Sequence, residues 1–179
     1  MKILLLNQTF FPDRLATSQQ VTDLAVYLVE QGHKVTVVTG RRGYESQKRV
    51  YPRREMVRGV SVIRVGSAGL GKRSFLIRLF VAITFDLSLA CRLLFVPAHE
   101  VVISFTSPPL IGIFGALFCL IKGGRSVQWL MDVNPDAAIA VGYIKRGSLA
   151  ARFLTWTFEF TLKCADMVVV LDRWMRERI

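Results

Sequence analysis

Cysteine is scarce in this chain: three in 179 residues, at Cys91, Cys119 and Cys164. They lie far apart inside apolar segments, so no disulfide framework and no C-x-x-C motif is available. No Cys/His spacing suggests a metal ligand set, and no metal is expected. Reduced, buried thiols are the expectation, as in a cytosolic protein. Long apolar runs are also missing. The longest uncharged one, Leu110 to Ile121, has 12 residues, short of the roughly 20 needed to span a bilayer. Phe75 to Val96 is long enough but carries Arg78, Asp86 and Arg92. The opening "MKILLLNQTFFPD" has a four-residue apolar run and no small-residue cleavage site, so it is not expected to act as a signal peptide. The loop after that run contains no glycine, so the G-x-G-x-x-G turn that lets a backbone approach a pyrophosphate is absent. No dinucleotide cofactor is expected. Acidic residues are few as well, 13 against 24 Lys and Arg.

What is present follows from the last imbalance. A net charge of +11 in a chain that is 52% apolar points to an anionic partner: a membrane surface, a phosphorylated ligand or nucleic acid. Nucleic acid would rest on charge alone, without a recognition motif or basic-aromatic interleaving, and is not expected. The apolar content excludes disorder, and the length fits one domain over residues 1–179.

Short β-rich runs recur at Lys2–Leu6, Lys34–Thr39, Val60–Val65, Glu100–Ser104, Ser126–Leu130 and Met167–Leu171, with helical segments between them. That alternation predicts an α/β fold, a Rossmann-like doubly wound parallel sheet with strand order 3-2-1-4-5-6. The clearest helix follows the first strand. Thr17 and Gln20 read as a capping box, Val21, Leu24, Ala25, Leu28 and Val29 form one apolar stripe, and Gly32 ends it. His33 and His99 fall at turns beside strands and read as structural. The stretch Arg41 to Arg58 reads as an 18-residue polar loop with seven basic residues. It is either a solvated excursion or an anion-facing loop near the carboxyl end of the second strand.

"GSAGLGKRS", Gly66 to Ser74, nearly matches a phosphate-binding P-loop. Arg73 takes the place of the hydroxyl that holds magnesium, and Ser74 comes one residue late. "VVVLD", ending at Asp172, would be the accompanying acidic strand, a match that any buried strand followed by Asp satisfies. A P-loop NTPase is the weakest functional reading. The glycines read instead as a turn, with Lys72 and Arg73 introducing a helix toward an anionic surface. Along that helix Ser74, Arg78, Asp86, Ser88 and Arg92 fall on one side. It would lie in a membrane interface with its basic residues toward headgroups, or else flank the sheet as an ordinary buried helix.

Three segments at expected carboxyl ends of strands carry small polar or acidic residues: Asn7 to Gln20, Ser104 to Gly112, and Gln128 to Ser148. In an open α/β sheet such loops converge on one crevice. They would bring together Asp13, Ser104, Thr106, Ser107, Asp132, Asn134 and Asp136.

With "MKILLLNQTFFPD", "GHKVTVVTGRRGY", the block from "SPPLIG" to "DVNPD" and "GYIKRG", and "ADMVVVLDRWMRERI", the chain resembles the amino-terminal half of a family 4-like glycosyltransferase of the GT-B fold. It is similar to bacterial enzymes that build capsule, colanic acid and O-antigen sugars. The resemblance implies the acceptor-side domain of an enzyme that takes a sugar from a nucleotide-sugar. The acceptor would be a lipid-linked saccharide, at the inner face of the cytoplasmic membrane. It makes Asp132 the candidate acceptor-facing carboxylate or general base, with a helix cap or turn as its plain alternative. Thr17 and Ser18 would open a helix whose N-terminus faces an anion. Arg41 and Arg42 would meet the acceptor's negative charge, and Lys72, Arg73, Arg78 and Arg92 the membrane surface. The donor-binding carboxyl-terminal domain is expected to be absent from this chain, so transfer would need a separate carboxyl-terminal half. A non-catalytic module that holds the acceptor for a second chain is the alternative.

Overall fold

The computed structural model describes residues 1–44, 49–69, 75–133 and 136–179. Among the described residues seven strands form one sheet: β1 (Lys2–Leu6), β2 (Lys34–Gly40), β3 (Arg54–Val57), β4 (Val60–Val65), β5 (Val101–Ser104), β6 (Arg125–Trp129) and β7 (Met167–Val169). Their order is β3-β4-β2-β1-β5-β6-β7, all parallel except β3. The six expected strands take the expected order. The chain is therefore an α/β protein with a mostly parallel, Rossmann-like sheet.

β3 departs from the expectation of a continuous polar loop. Arg54–Val57 pairs antiparallel with β4 through a two-residue turn in which Arg58 and Gly59 have φ of 48° and 81°. Two successive positive φ angles match the twist of a tight hairpin. A side chain at Gly59 would also collide with Val29.

Alternation along β1 builds both faces of the core. Ile3 and Leu5 pack with Val35, Val37, Val21 and Ala25 on the side of α1 (Ala16–Glu30). Leu4 and Leu6 pack with Val38, Phe85, Leu89 and Phe118, the last three from α2 (Phe75–Leu94) and α3 (Ile111–Lys122). Each such fully buried side chain contributes about 1.5–3 kcal/mol. α3 sits close to its neighbours because it carries glycine where they press: a Cβ at Gly115 would overlap Ser104 Oγ, and one at Gly112 would meet Thr161 and Gln128.

α1 begins at Ala16 with Leu15 as its N-cap and no side-chain cap bond, so the Thr17–Gln20 capping box does not form. Its carboxyl end closes as expected. Gly32 and His33 donate to the carbonyls of Val29 and Leu28, with Gly32 at φ 81°. α2 is terminated by a lysine from α3: Lys122 Nζ donates to the carbonyls of Leu93, Leu94 and Val96 at 3.0, 2.8 and 2.5 Å. His99 is structural, with ring nitrogens 2.8 Å from the Pro97 carbonyl and 3.3 Å from Thr36 Oγ1, and burial lowers its pKa. The cysteines are less buried than expected: Cys91 is exposed, and Cys119 and Cys164 are half-buried. α4 (Asp136–Ala140), α5 (Leu149–Lys163) and α6 (Arg173–Arg178) complete the chain, with α5 against α3. Among the described residues, no helix is long and apolar enough to cross a membrane.

Candidate functional site

The direction of chain entry changes beside β1, between β2 on one side and β5 on the other, and the loops at the carboxyl ends of these strands meet there. Backbone bonds stitch them together. Gly40 N–H donates to the Gln8 carbonyl, and Gln8 N–H donates to the Ser107 carbonyl, both at 2.9 Å. Thr106 Oγ1 accepts from Met131 N–H at 3.2 Å, which ties the loop after β5 to the loop after β6. The three expected segments do converge.

Above this seam lies a cavity of about 730 Å³. Its walls are mostly apolar, formed by Val81, Ala82, Ile83, Pro108, Leu110 and Leu154. Arg42, Arg78 and Lys145 supply positive charge, and Arg78 Nη1 donates to Tyr143 Oη at 3.4 Å. Asp86, from α2, also lines it. Asp86 is 5% exposed, and its Oδ1 has no hydrogen-bond partner among the described residues. Burial pushes its pKa up to about 7. Large apolar side chains of the two helices that help wall the cavity stay exposed: Leu79, Phe80, Ile83 and Leu87 on α2, Phe153 and Trp156 on α5. Trp156 is held between Phe153 and Phe160, at ring-centroid distances of 6.3 and 6.0 Å.

The residues singled out from sequence fall into distinct groups. Ser107, Arg42 and Arg78 line the cavity. Asp13 instead organises the basic loop: its carboxylate accepts from Tyr44 N–H at 3.1 and 3.2 Å and from Tyr51 Oη at 3.1 Å. Burial, followed by the Asp13 charge, raises the Tyr51 pKa. Arg41 Nε donates to the Tyr51 carbonyl. Ser18 is buried and donates to the Asp13 carbonyl at 2.9 Å, while Thr17 Oγ1 lies 3.4 Å from Thr9 Oγ1. Ser104 is buried beneath α3, its Oγ without a partner among the described residues. Asp132 is exposed and does not line the cavity. Asp136 pairs with Arg178 at 2.7 Å. Arg92 is half-buried, and Asp86 and Ser88 turn inward too, so apart from the exposed Arg78 the outward face of α2 is apolar. Lys72, Arg73 and Asn134 lie outside the described residues.

Sequence reasoning missed Arg64. It is 4% exposed and paired with Glu55 at 2.7 Å. It donates to the carbonyls of Phe11 and Gly40 at 2.6 and 3.3 Å, and its guanidinium lies 4.5 Å from the Tyr51 ring centroid. One buried cation thus locks the first loop, the basic loop and the hairpin together. An arginine inside "VSVIRV" was the available signal.

The P-loop reading loses its second element. Asp172 follows β7, with four strands between it and β4, and it caps α6 by accepting from Met175 N–H at 2.8 Å. Among the described residues, no group of three or more His, Cys, Asp or Glu is placed to hold a metal ion.

Residues 16–179 match the family described as glycosyl transferase 4-like domain. Over 100 residues the chain is 32% identical to a protein of Pseudomonas aeruginosa called probable glycosyltransferase WbjE. That alignment covers 56% of this chain and 24% of the relative.

Proposed function

The chain belongs to the glycosyl transferase 4-like family, and from that premise we propose that it is the acceptor-side domain of a sugar transferase. In this reading a lipid-linked saccharide enters the cavity between α2 and the loop after β5. The donor is a nucleotide-sugar held outside this domain. The observation that carries the reading is the cavity's composition: apolar walls with Arg42, Arg78 and Lys145 around them. Such a lining suits a molecule that combines a hydrocarbon chain with a diphosphate. The exposed row of Leu79, Phe80, Ile83 and Leu87 supports contact with a bilayer carrying that acceptor. Net charge of +11 favours an anionic surface. The cell's surface polysaccharide is the product class that fits such an acceptor.

What the domain contributes to transfer is placement. Cationic side chains fix the anionic end, apolar walls exclude water, and the acceptor hydroxyl is held where a donor can meet it. Asp132, exposed on the loop after β6 and outside the cavity, is proposed as the proton acceptor for a hydroxyl that projects beyond the cavity. The test is titration of the purified chain with undecaprenyl phosphate in neutral nanodiscs and, separately, with a panel of UDP- and GDP-sugars. The lipid phosphate should bind, and Arg42→Ala/Arg78→Ala should weaken it about tenfold or more. Binding of a nucleotide-sugar without binding of the lipid phosphate would overturn the acceptor-side reading.

A further inference from the structure

Asp86 is at odds with its surroundings. Apart from it, the cavity wall contributed by α2 beyond Arg78 is Leu79, Val81, Ala82 and Ile83. A carboxyl group there has given up water, and a buried polar group without a partner costs about 1–3 kcal/mol. Asp86 Oδ1 has no partner among the described residues, and the side chain borders the cavity. Arg78 and Asp86 are eight residues apart on one helix, about 12 Å along its axis. The cation and the carboxyl therefore mark two separate depths of one site.

We propose that Asp86 hydrogen-bonds a hydroxyl group of the cavity's ligand, so that the buried end of that ligand is hydroxylated rather than purely hydrocarbon. The inference deepens the acceptor reading and rests on the cavity being the acceptor's site. Chemistry narrows the group. Arg42, Arg78 and Lys145 disfavour a cationic ligand, which removes an ammonium as the partner. A phosphate beside Asp86 would be desolvated by apolar walls and repelled by the carboxylate once Asp86 ionises. An alcohol hydroxyl both donates and accepts, so it satisfies Asp86 in either protonation state. The raised pKa agrees with this, since a neutral carboxyl matches a neutral hydroxyl.

The test uses two probes of the same chain length, octan-1-ol and 1-chlorooctane, followed at the Ala82 and Ala150 methyl resonances, both of which line the cavity. In the wild type both probes should shift these signals. The affinity ratio favouring the alcohol should fall about tenfold in Asp86→Leu and be largely kept in Asp86→Asn, which retains hydrogen-bonding atoms. Because the ratio is compared between proteins, the probes' different affinities for water cancel. A ratio unchanged in Asp86→Leu overturns the assignment of Asp86 and leaves the cavity reading standing. If neither probe moves the Ala82 signal in the wild type, the cavity reading falls with it. Should Asp86→Leu fail to fold, Asp86→Ala gives the same comparison, with the same outcomes for and against.

Discussion

Replacing Asp86 by Asn should make the protein more stable, and by an amount that grows with pH. The ordinary carboxyl value is 3.8, and burial raises Asp86 to about 7 in the folded chain. A group whose folded value lies above its unfolded one favours folding most when both states are protonated, and that advantage is lost as pH rises. For Asp86 the loss starts near pH 3.8 and is complete above about pH 7. A tenfold difference in proton affinity is worth about 1.4 kcal/mol, so the fully ionised group costs the fold about 4 kcal/mol. Linkage puts the cost at about 2 kcal/mol at pH 5 and about 4 kcal/mol at pH 8. Asn carries the same shape without the titration. Urea unfolding of both proteins at pH 5 and pH 8 isolates this one group, because every other titration is common to the pair. The advantage of Asp86→Asn should grow by about 2 kcal/mol between the two pH values. A difference that stays within about 0.5 kcal/mol would mean that Asp86 is solvated or paired, and the reasoning about its burial would be wrong.

Three other substitutions follow from the same geometry. Arg64→Met removes the cation from its pair with Glu55 and from two loop carbonyls, and should cost about 3 kcal/mol in urea unfolding; a cost below about 1 kcal/mol would show that the lock is weak. Gly115→Ala should destabilise by about 2 kcal/mol despite alanine's better helix propensity, because its methyl overlaps Ser104 Oγ. Most of that should return in Gly115→Ala/Ser104→Ala, and failure of the double variant to recover would place the clash elsewhere. In Asp13→Ala the Tyr44 amide loses its acceptor, so its hydrogen exchange should speed up about tenfold or more; unchanged exchange would mean that Asp13 does not hold the basic loop.

The sheet was readable because its six parallel strands fall in short segments rich in Val, Ile and Leu, separated by helical spacing. β3 was not. Arg54 and Met56 point outward, Met56 largely exposed, so "REMV" carries no apolar alternation of its own and depends on pairing with β4. The turn beneath it uses Arg58 at positive φ, a conformation that composition does not announce. Thr17 and Gln20 have the right spacing for a capping box, yet the N-cap is Leu15, two residues earlier, which leaves Thr17 inside the first turn. At the site, the convergence of three loops could be read from topology, since it follows from where parallel strands end. The roles of individual polar residues could not. Asp13 resembles a ligand-facing carboxylate in sequence but is occupied by Tyr44 and Tyr51, more than thirty positions away. Asp86 belongs to a polar row on a helical wheel, and only the packing of Phe85 and Leu89 against the sheet turns it inward.

The central claim is that the cavity between α2 and the Ser107–Leu110 turn receives an anionic, lipid-linked acceptor. Filling it tests this most directly. Ala82→Trp would place an indole inside the cavity while leaving Arg42, Arg78 and the outer apolar face in place. Affinity for undecaprenyl phosphate in neutral nanodiscs should fall at least tenfold in this variant. Its retention on protein-free anionic vesicles should stay unchanged. Equal affinity for undecaprenyl phosphate in the two proteins would contradict the claim and put the lipid on the outer surface alone.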